Sequence, residues 1–130
     1  PVIIADEIEW IDALTLEAER AGLADAFESW RAAWESRDTE RYLGHYAARF
    51  NSGEQDLAAW SEHKRKVNGA KSWIKVAVSR LAMLQYPRES FVVVSFDQDY
   101  RSSNLSNVMR KRQYWIKEDA RWQILYEGGE

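Results

Sequence analysis

At Gly69 the spacing of apolar residues changes from about one per helical turn to strict alternation, and few architectures accommodate that switch. Before it, Leu23, Ala26, Phe27, Trp30, Ala33 and Trp34 recur on one face of a helix over residues 23–37, with charged residues opposite. A helix is expected to begin within residues 17–22, and the first dozen residues read as an extended or partly extended lead-in. Asp38 and Thr39 offer an N-cap for a second helix carrying Tyr42, Leu43, Tyr46 and Phe50, broken at Asn51-Ser52-Gly53. A third helix over residues 56–68 puts Leu57, Trp60, Lys64 and Val67 on one side, and Gly69 stops it. Beyond Gly69, Ser72, Ile74, Val76 and Val78 alternate with Trp73, Lys75, Ala77 and Ser79 up to a turn at Tyr86-Pro87-Arg88-Glu89. Further strands are expected near residues 91–101, 108–117 and 121–126, joined by turns short enough for antiparallel neighbours. The expectation is an α+β domain in which about three N-terminal helices pack on a curved four-stranded antiparallel sheet, one sheet face buried. Residues 1–22 would be a linker or lead-in and residues 23–130 the domain.

Composition narrows the function classes. At 45% hydrophobic and 30% charged residues the chain is an ordinary globule, and no apolar run reaches the roughly 20 residues of a membrane helix. The absence of cysteine removes disulfides, thiolate metal sites and a cysteine nucleophile. Two distant histidines and scattered carboxylates match no metal-ligand spacing, so neither a metal nor a cofactor is expected. Residues 1–60 carry 5 Lys and Arg against 13 Asp and Glu, whereas residues 61–130 carry 13 against 8. That reads as an acidic helical half beside a basic sheet half. The basic runs His63-Lys64-Arg65-Lys66 and Arg110-Lys111-Arg112 are each split between faces, and the net charge is −3, which argues against nucleic acid as a partner. The chain opens at Pro1 with neither Met nor a signal-peptide pattern, as a piece of a longer or processed protein would.

Several stretches together resemble a known family. They are Trp30-x3-Trp34-x-Ser36-x-Asp38, Tyr42-Leu43-x2-Tyr46, Trp60-x3-Lys64-Arg65-x-Val67-Asn68, Tyr86-Pro87, Phe96-x-Gln98-x-Tyr100-x-Ser102-Ser103-Asn104, Lys111-Arg112-Gln113-Tyr114-Trp115 and Ile124-Leu125-Tyr126-Glu127-Gly128. Over about residues 23–128 this is similar to the nuclear-transport-factor-2-like (SnoaL/ketosteroid-isomerase-like) cone fold. More narrowly it resembles the C-terminal accessory domain of bacterial L,D-transpeptidase and L,D-carboxypeptidase cell-wall proteins. The resemblance implies a cone-shaped domain, a periplasmic or cell-envelope location, and an auxiliary or binding role, with any catalytic domain preceding this chain.

Strand alternation assigns a lining to such a cone. Val92, Val94, Phe96, Gln98 and Tyr100 share one face of the second strand, apolar at one end and polar at the other. Lys111, Gln113 and Trp115 share a face of the third strand, and Trp122, Ile124 and Tyr126 one of the fourth. The candidate ligand-binding set is therefore Gln98, Tyr100, Lys111, Gln113, Trp115 and Tyr126, with Trp34, Tyr46, Trp60 and Lys64 closing it from the helices. The same rings serve equally well as plain core. No acid–base pair emerges: Asp97 and Asp99 face away from Gln98, Asp38 is a helix cap, and His45 lies well round its helix from Tyr46. The leading expectation is a non-catalytic binding domain for a small molecule, a peptidoglycan fragment or a protein partner. The alternatives are a small isomerase-type enzyme, which needs an ionisable group inside the cone, and a homodimerisation module using Val93, Tyr114 and Ile116 on the outer sheet face.

Overall fold

The computed structural model describes residues 13–85 and 88–129. The lead-in read over the first dozen residues and the Tyr86-Pro87 half of the first turn lie outside them. Helix α1 spans Ala13–Glu35, so the 22/23 boundary expected from the sequence falls within a continuous helix. Leu23, Phe27, Trp30, Ala33 and Trp34 form its buried stripe. The helix ends where Arg37 takes a left-handed φ of 59°. There Arg37 N–H donates to Trp34 O (3.1 Å) and Asp38 N–H to Ala33 O (3.1 Å), satisfying carbonyls that the last turn leaves open.

Helix α2 (Thr39–Leu43) starts on the expected cap, Asp38, whose side chain accepts from Arg41 N–H. It is one turn long, shorter than the sequence suggests. Beyond it residues 45–47 run alongside the last strand: Ile124 N–H donates to His45 O (2.8 Å) and Ala47 N–H to Ile124 O (2.9 Å). Tyr46 and Phe50 keep a helix-like spacing, yet Tyr46 is held by this parallel bridge. Helix α3 (Leu57–Gly69) is capped by Asp56, which accepts from Ala59 N–H at 2.9 Å.

Four strands follow, β1 (Ile74–Gln85), β2 (Phe91–Ser102), β3 (Ser106–Glu118) and β4 (Arg121–Gly129). They pair antiparallel in the order β1-β2-β3-β4, the expected meander. The inner face presents Ile74, Val76, Val92, Val94, Phe96, Trp115 and Ile124 to the aromatic stripe of α1. Two irregularities bend the sheet. One lies between Ser79 and Ala82 of β1. The other skips Leu125: Tyr114 stands opposite Tyr126, but Trp115 stands opposite Ile124. The carbonyl of the skipped Leu125 accepts from Asn51 N–H (3.0 Å).

The open edge of β1 is covered by an ion pair from α1. Val76 N–H donates to Glu35 Oε2 (2.9 Å) and Val76 O accepts from Arg31 Nη1 (3.1 Å), while the two side chains join at 2.9 Å. Such capping hides edge groups that would otherwise template another strand. Glu35→Ala is expected to cost about 1–2 kcal/mol by stranding the Val76 N–H and to raise self-association. Denaturant titration and light scattering would show both; an unchanged midpoint with no added association would remove this role for Glu35.

Candidate functional site

Along β2 the inner sheet face changes from apolar at Val92 and Val94 to polar at Gln98 and Tyr100. Phe96, Gln98 and Tyr100 of β2 lie beside Lys111 and Gln113 of β3, because Phe96 pairs with Lys111 and Val94 with Gln113. The irregularity at Leu125 turns Glu127 toward this group, opposite Gln113. Lys111, Gln113 and Glu127 are 6%, 0% and 3% exposed, so an ion pair sits inside the core.

Every oxygen of that carboxylate is engaged. Lys111 Nζ donates to Glu127 Oε2 at 2.9 Å, while Tyr46 Oη (2.7 Å) and Gln113 Nε2 (2.8 Å) donate to Oε1. The second layer is equally ordered. Trp115 Nε1 donates to Gln113 Oε1 (2.9 Å), which orients the amide, and Trp30 Nε1 donates to the Tyr46 hydroxyl (3.0 Å). The Tyr42 and Tyr46 hydroxyl oxygens are 3.0 Å apart. With the Tyr46 proton given to Glu127, Tyr42 supplies the one between them.

Burial alone would push the Glu127 carboxyl up; the ammonium groups of Lys111 and Lys64 and its hydrogen bonds outweigh this and hold it below its ordinary value. Burial, reinforced by the Glu127 charge, drives the Tyr42 and Tyr46 hydroxyls well above theirs. The chemistry at neutral pH is thus a fixed carboxylate among neutral phenols. A base whose lone pairs are occupied and whose affinity for a proton is reduced is a poor proton acceptor.

Lys64 comes from α3 and lies differently. Its Nζ stands 4.7 Å from the Trp60 ring centroid and 5.8 Å from that of Trp34, as a cation over aromatic faces. Burial lowers it to about 8, with Lys111 acting the same way and Glu127 opposing. Lys111 likewise sits 5.0 Å from the Trp34 ring. Among the described residues two ammonium groups, the buried Lys111 and the half-buried Lys64, therefore share the field of one buried carboxylate. Trp34 stacks on Tyr100 at 5.1 Å, and Tyr46, Phe50 and Trp60 pack as a triad with centroids 4.9 to 5.6 Å apart.

Residues 22–128, which hold this whole arrangement, match the family described as the Cds6 C-terminal NTF2-like domain. The chain belongs to that family. Among solved structures, Bd1075 of Bdellovibrio bacteriovorus shares 25% identity at a TM-score of 0.80, over 94% of this chain and 45% of that one. The helical cell shape determining protein Pgp2 of Campylobacter jejuni shares 23% at a TM-score of 0.75, over 82% of this chain and 39% of its own. The present chain spans less than half the length of either. A proposed dehydratase of the NTF2-like family from Streptomyces avermitilis shares the fold at 8% identity, with a TM-score of 0.73 over 86% and 94% of the two chains. Comparison with curated protein sequences finds no match.

Within this NTF2-like cone the structure brings together Trp34, Tyr46, Trp60, Lys64, Gln98, Tyr100, Lys111, Gln113 and Trp115. Tyr126 is the exception. It lies on the outer face, its ring 4.9 Å from Tyr114, which in turn stacks on Phe91 at 4.8 Å and 4°. The skipped Leu125 shifts the alternation by one residue, so Glu127 takes the inward place that unbroken alternation assigns to Tyr126. The sequence reading thus missed Glu127 and, with it, the ionisable group inside the cone. An acidic residue next to Gly128-Gly129 at the chain's end carries no periodicity signal; a pair of inward lysines in need of a counter-charge was the available hint.

Asp97 and Asp99 face outward, to Arg80 and Arg110 and to Arg101 respectively. His45 is held at the surface of the cone wall, Nδ1 2.8 Å from Arg41 O and Nε2 3.0 Å from Ser29 Oγ. Asn104 accepts from buried Lys71 within the turn between β2 and β3. Of the outer-face residues considered for a dimer, Val93 and Ile116 are already buried within this chain, and Tyr114 is half-buried. No three His, Asp or Glu side chains converge as a metal site among the described residues, and no described helix is long and apolar enough to cross a membrane.

Proposed function

We propose that this chain is a binding module of a cell-envelope protein whose cone takes a small anionic ligand, a peptidoglycan fragment being the favoured class. The observation that carries this is the charge balance of the site: Lys111 pairs with the Glu127 carboxylate at 2.9 Å, while Lys64 lies on Trp60 and Trp34 and makes no salt bridge among the described residues. Aromatic walls strip water from the site, and a carboxylate entering there is drawn to Lys64 and stacked against the rings. The envelope setting rests on the resemblance to L,D-transpeptidase accessory domains. The name of one structural neighbour, a cell shape determining protein, is in keeping with it.

Soluble peptidoglycan fragments from a muramidase digest are expected to raise the melting temperature of the chain, and Lys64→Met to abolish that rise while leaving the unliganded midpoint nearly unchanged. Affinity should hold at pH 7 and fall as the pH climbs above about 8, where Lys64 gives up its charge. Wild-type protein that ignores the fragments at millimolar concentration would end this reading.

A small acid–base enzyme is the second reading, favoured only by the presence of Glu127 inside the cone. Its three hydrogen bonds and reduced basicity weigh against a role as a base.

A further inference from the structure

Where α1, α2 and β4 meet, the fold gathers a serine, a histidine and two arginines at the surface. Ser29 lies on α1, Arg41 on α2, His45 just beyond α2 and Arg121 at the start of β4. Ser29 Oγ stands 3.0 Å from His45 Nε2 and 3.3 Å from Arg41 Nη2. His45 Nδ1 lies 2.8 Å from Arg41 O and 3.3 Å from Tyr42 O. Ser29 and His45 are half-buried and both arginines are exposed, so the group is open to solvent.

The partners fix where the protons sit. A carbonyl only accepts, so His45 Nδ1 carries the imidazole proton. Burial, seconded by the charges of Arg41 and Arg121, outweighs those two bonds and holds the ring below its ordinary value of 6.5. The charged groups it meets are thus Arg41 from α2 and Arg121 from β4, while α1 offers it the neutral Ser29. At neutral pH Nε2 is an open lone pair, and the Ser29 hydroxyl donates to it. A guanidinium only donates, so Arg41 Nη2 gives a second hydrogen bond to the same Ser29 oxygen. An oxygen that loses its proton to His45 therefore keeps a cation beside it. The frame is fixed as well: His45 O accepts from Ile124 N–H at 2.8 Å, and Ser29 sits within a continuous helix. A serine inside a helix often turns its hydroxyl back to the carbonyl one turn earlier; this one is turned to an imidazole instead.

We infer that Ser29 is a nucleophile activated by His45, and that the chain hydrolyses small esters whose acyl group carries a carboxylate. Ser29 Oγ attaches to the ester carbonyl carbon as its proton passes to His45 Nε2, and Arg41 faces the oxyanion that forms. The carbon–oxygen bond to the alcohol breaks, His45 returns the proton to the leaving oxygen, and the acyl group stays on Ser29. Water, giving a proton to His45, then attacks the acyl-serine, which releases the acid and restores the Ser29 hydroxyl. Ester and water become acid and alcohol, and no other reactant is needed. Arg121, whose charge also reaches His45, supplies a second cation for an acidic acyl group. No step uses the cone interior, so the outcome is independent of what the cone binds.

The probes are mono-para-nitrophenyl glutarate, whose acyl group ends in a carboxylate, and para-nitrophenyl butyrate, its neutral counterpart. Nitrophenolate release is followed with the spontaneous rate subtracted, and circular dichroism checks that each variant is folded. The glutarate ester should react faster than the butyrate, and added salt should narrow the gap. Ser29→Ala should lower the rate about a hundredfold, and His45→Gln should do the same and flatten the pH profile. Arg41→Gln, which keeps the carbonyl that orients His45, should cost about tenfold or more. In the wild type the rate should climb with a midpoint below 6.5 and level off above it, as Nε2 gives up its proton. Protein stopped early in the reaction should carry a glutaryl group, mapped by mass spectrometry to Ser29. A Ser29→Ala or His45→Gln variant that keeps the wild-type rate, an acyl group found only on a lysine, or a rate no greater than that of equimolar free imidazole would each overturn the assignment. Equal rates on the two esters would remove the acidic substrate class.

Discussion

Replacing Lys111 by methionine is expected to destabilise the domain by about 3–5 kcal/mol, because it strands a buried carboxylate without its counter-ion. Lys111 and Glu127 are both nearly inaccessible and 2.9 Å apart, so water cannot take over the lost partner. The pH dependence should change sign as well. In the native protein Glu127 titrates below its ordinary value, so its contribution is present above the unfolded carboxyl range of about 4.3 and is lost as the pH falls through the folded value. Without Lys111, burial is opposed only by Lys64 and the remaining hydrogen bonds, and the folded carboxyl moves upward. Between the two values the folded variant then holds the extra proton and loses stability as the pH rises. Adding Glu127→Gln to Lys111→Met should recover most of the loss, since the amide needs no counter-charge and still accepts from Tyr46 or Gln113. Denaturant midpoints at pH 5 and pH 7 for the three proteins decide it. A single variant that loses under about 1 kcal/mol and keeps the native pH slope would show the pair to be unimportant to the fold.

Trp30→Ala is expected to cost about 3–5 kcal/mol, comparable to the whole stability of a marginal domain. Trp30 has no exposed surface, and its ring meets Phe27, Trp34 and Phe96 at centroid distances of 5.5, 5.4 and 6.0 Å. It also holds the Tyr46 hydroxyl, and through it the orientation of the proton given to Glu127. Removing the ring therefore leaves a cavity and loosens the polar centre together. Trp73→Ala is the matched comparison: that ring is 45% exposed and its loss should stay within about 0.5 kcal/mol. Equal losses at the two sites, read from equilibrium unfolding, would mean that the helix–sheet interface is not the stabilising centre described here.

The sequence determined the layout through local chemistry. The change of period at Gly69 separates helices from strands because side chains recur every 3.6 residues in one and every 2 in the other. The cap at Asp38 and the inward sets on β2 and β3 are equally legible, since each depends on residues adjacent in the chain. What only the tertiary structure decided lies where distant segments meet. The second helix stops at Leu43 because residues 45–47 find their hydrogen bonds on β4, some eighty positions away. On β4 itself one residue, Leu125, is skipped in the pairing, its carbonyl accepting the N–H of Asn51. That single extra residue reverses the facing of everything after it, sending Tyr126 outward and Glu127 in to meet Lys111. Alternation along a strand is a local property, but its phase across a bulge is set by the neighbours the strand pairs with, and those neighbours come together only when the chain is folded.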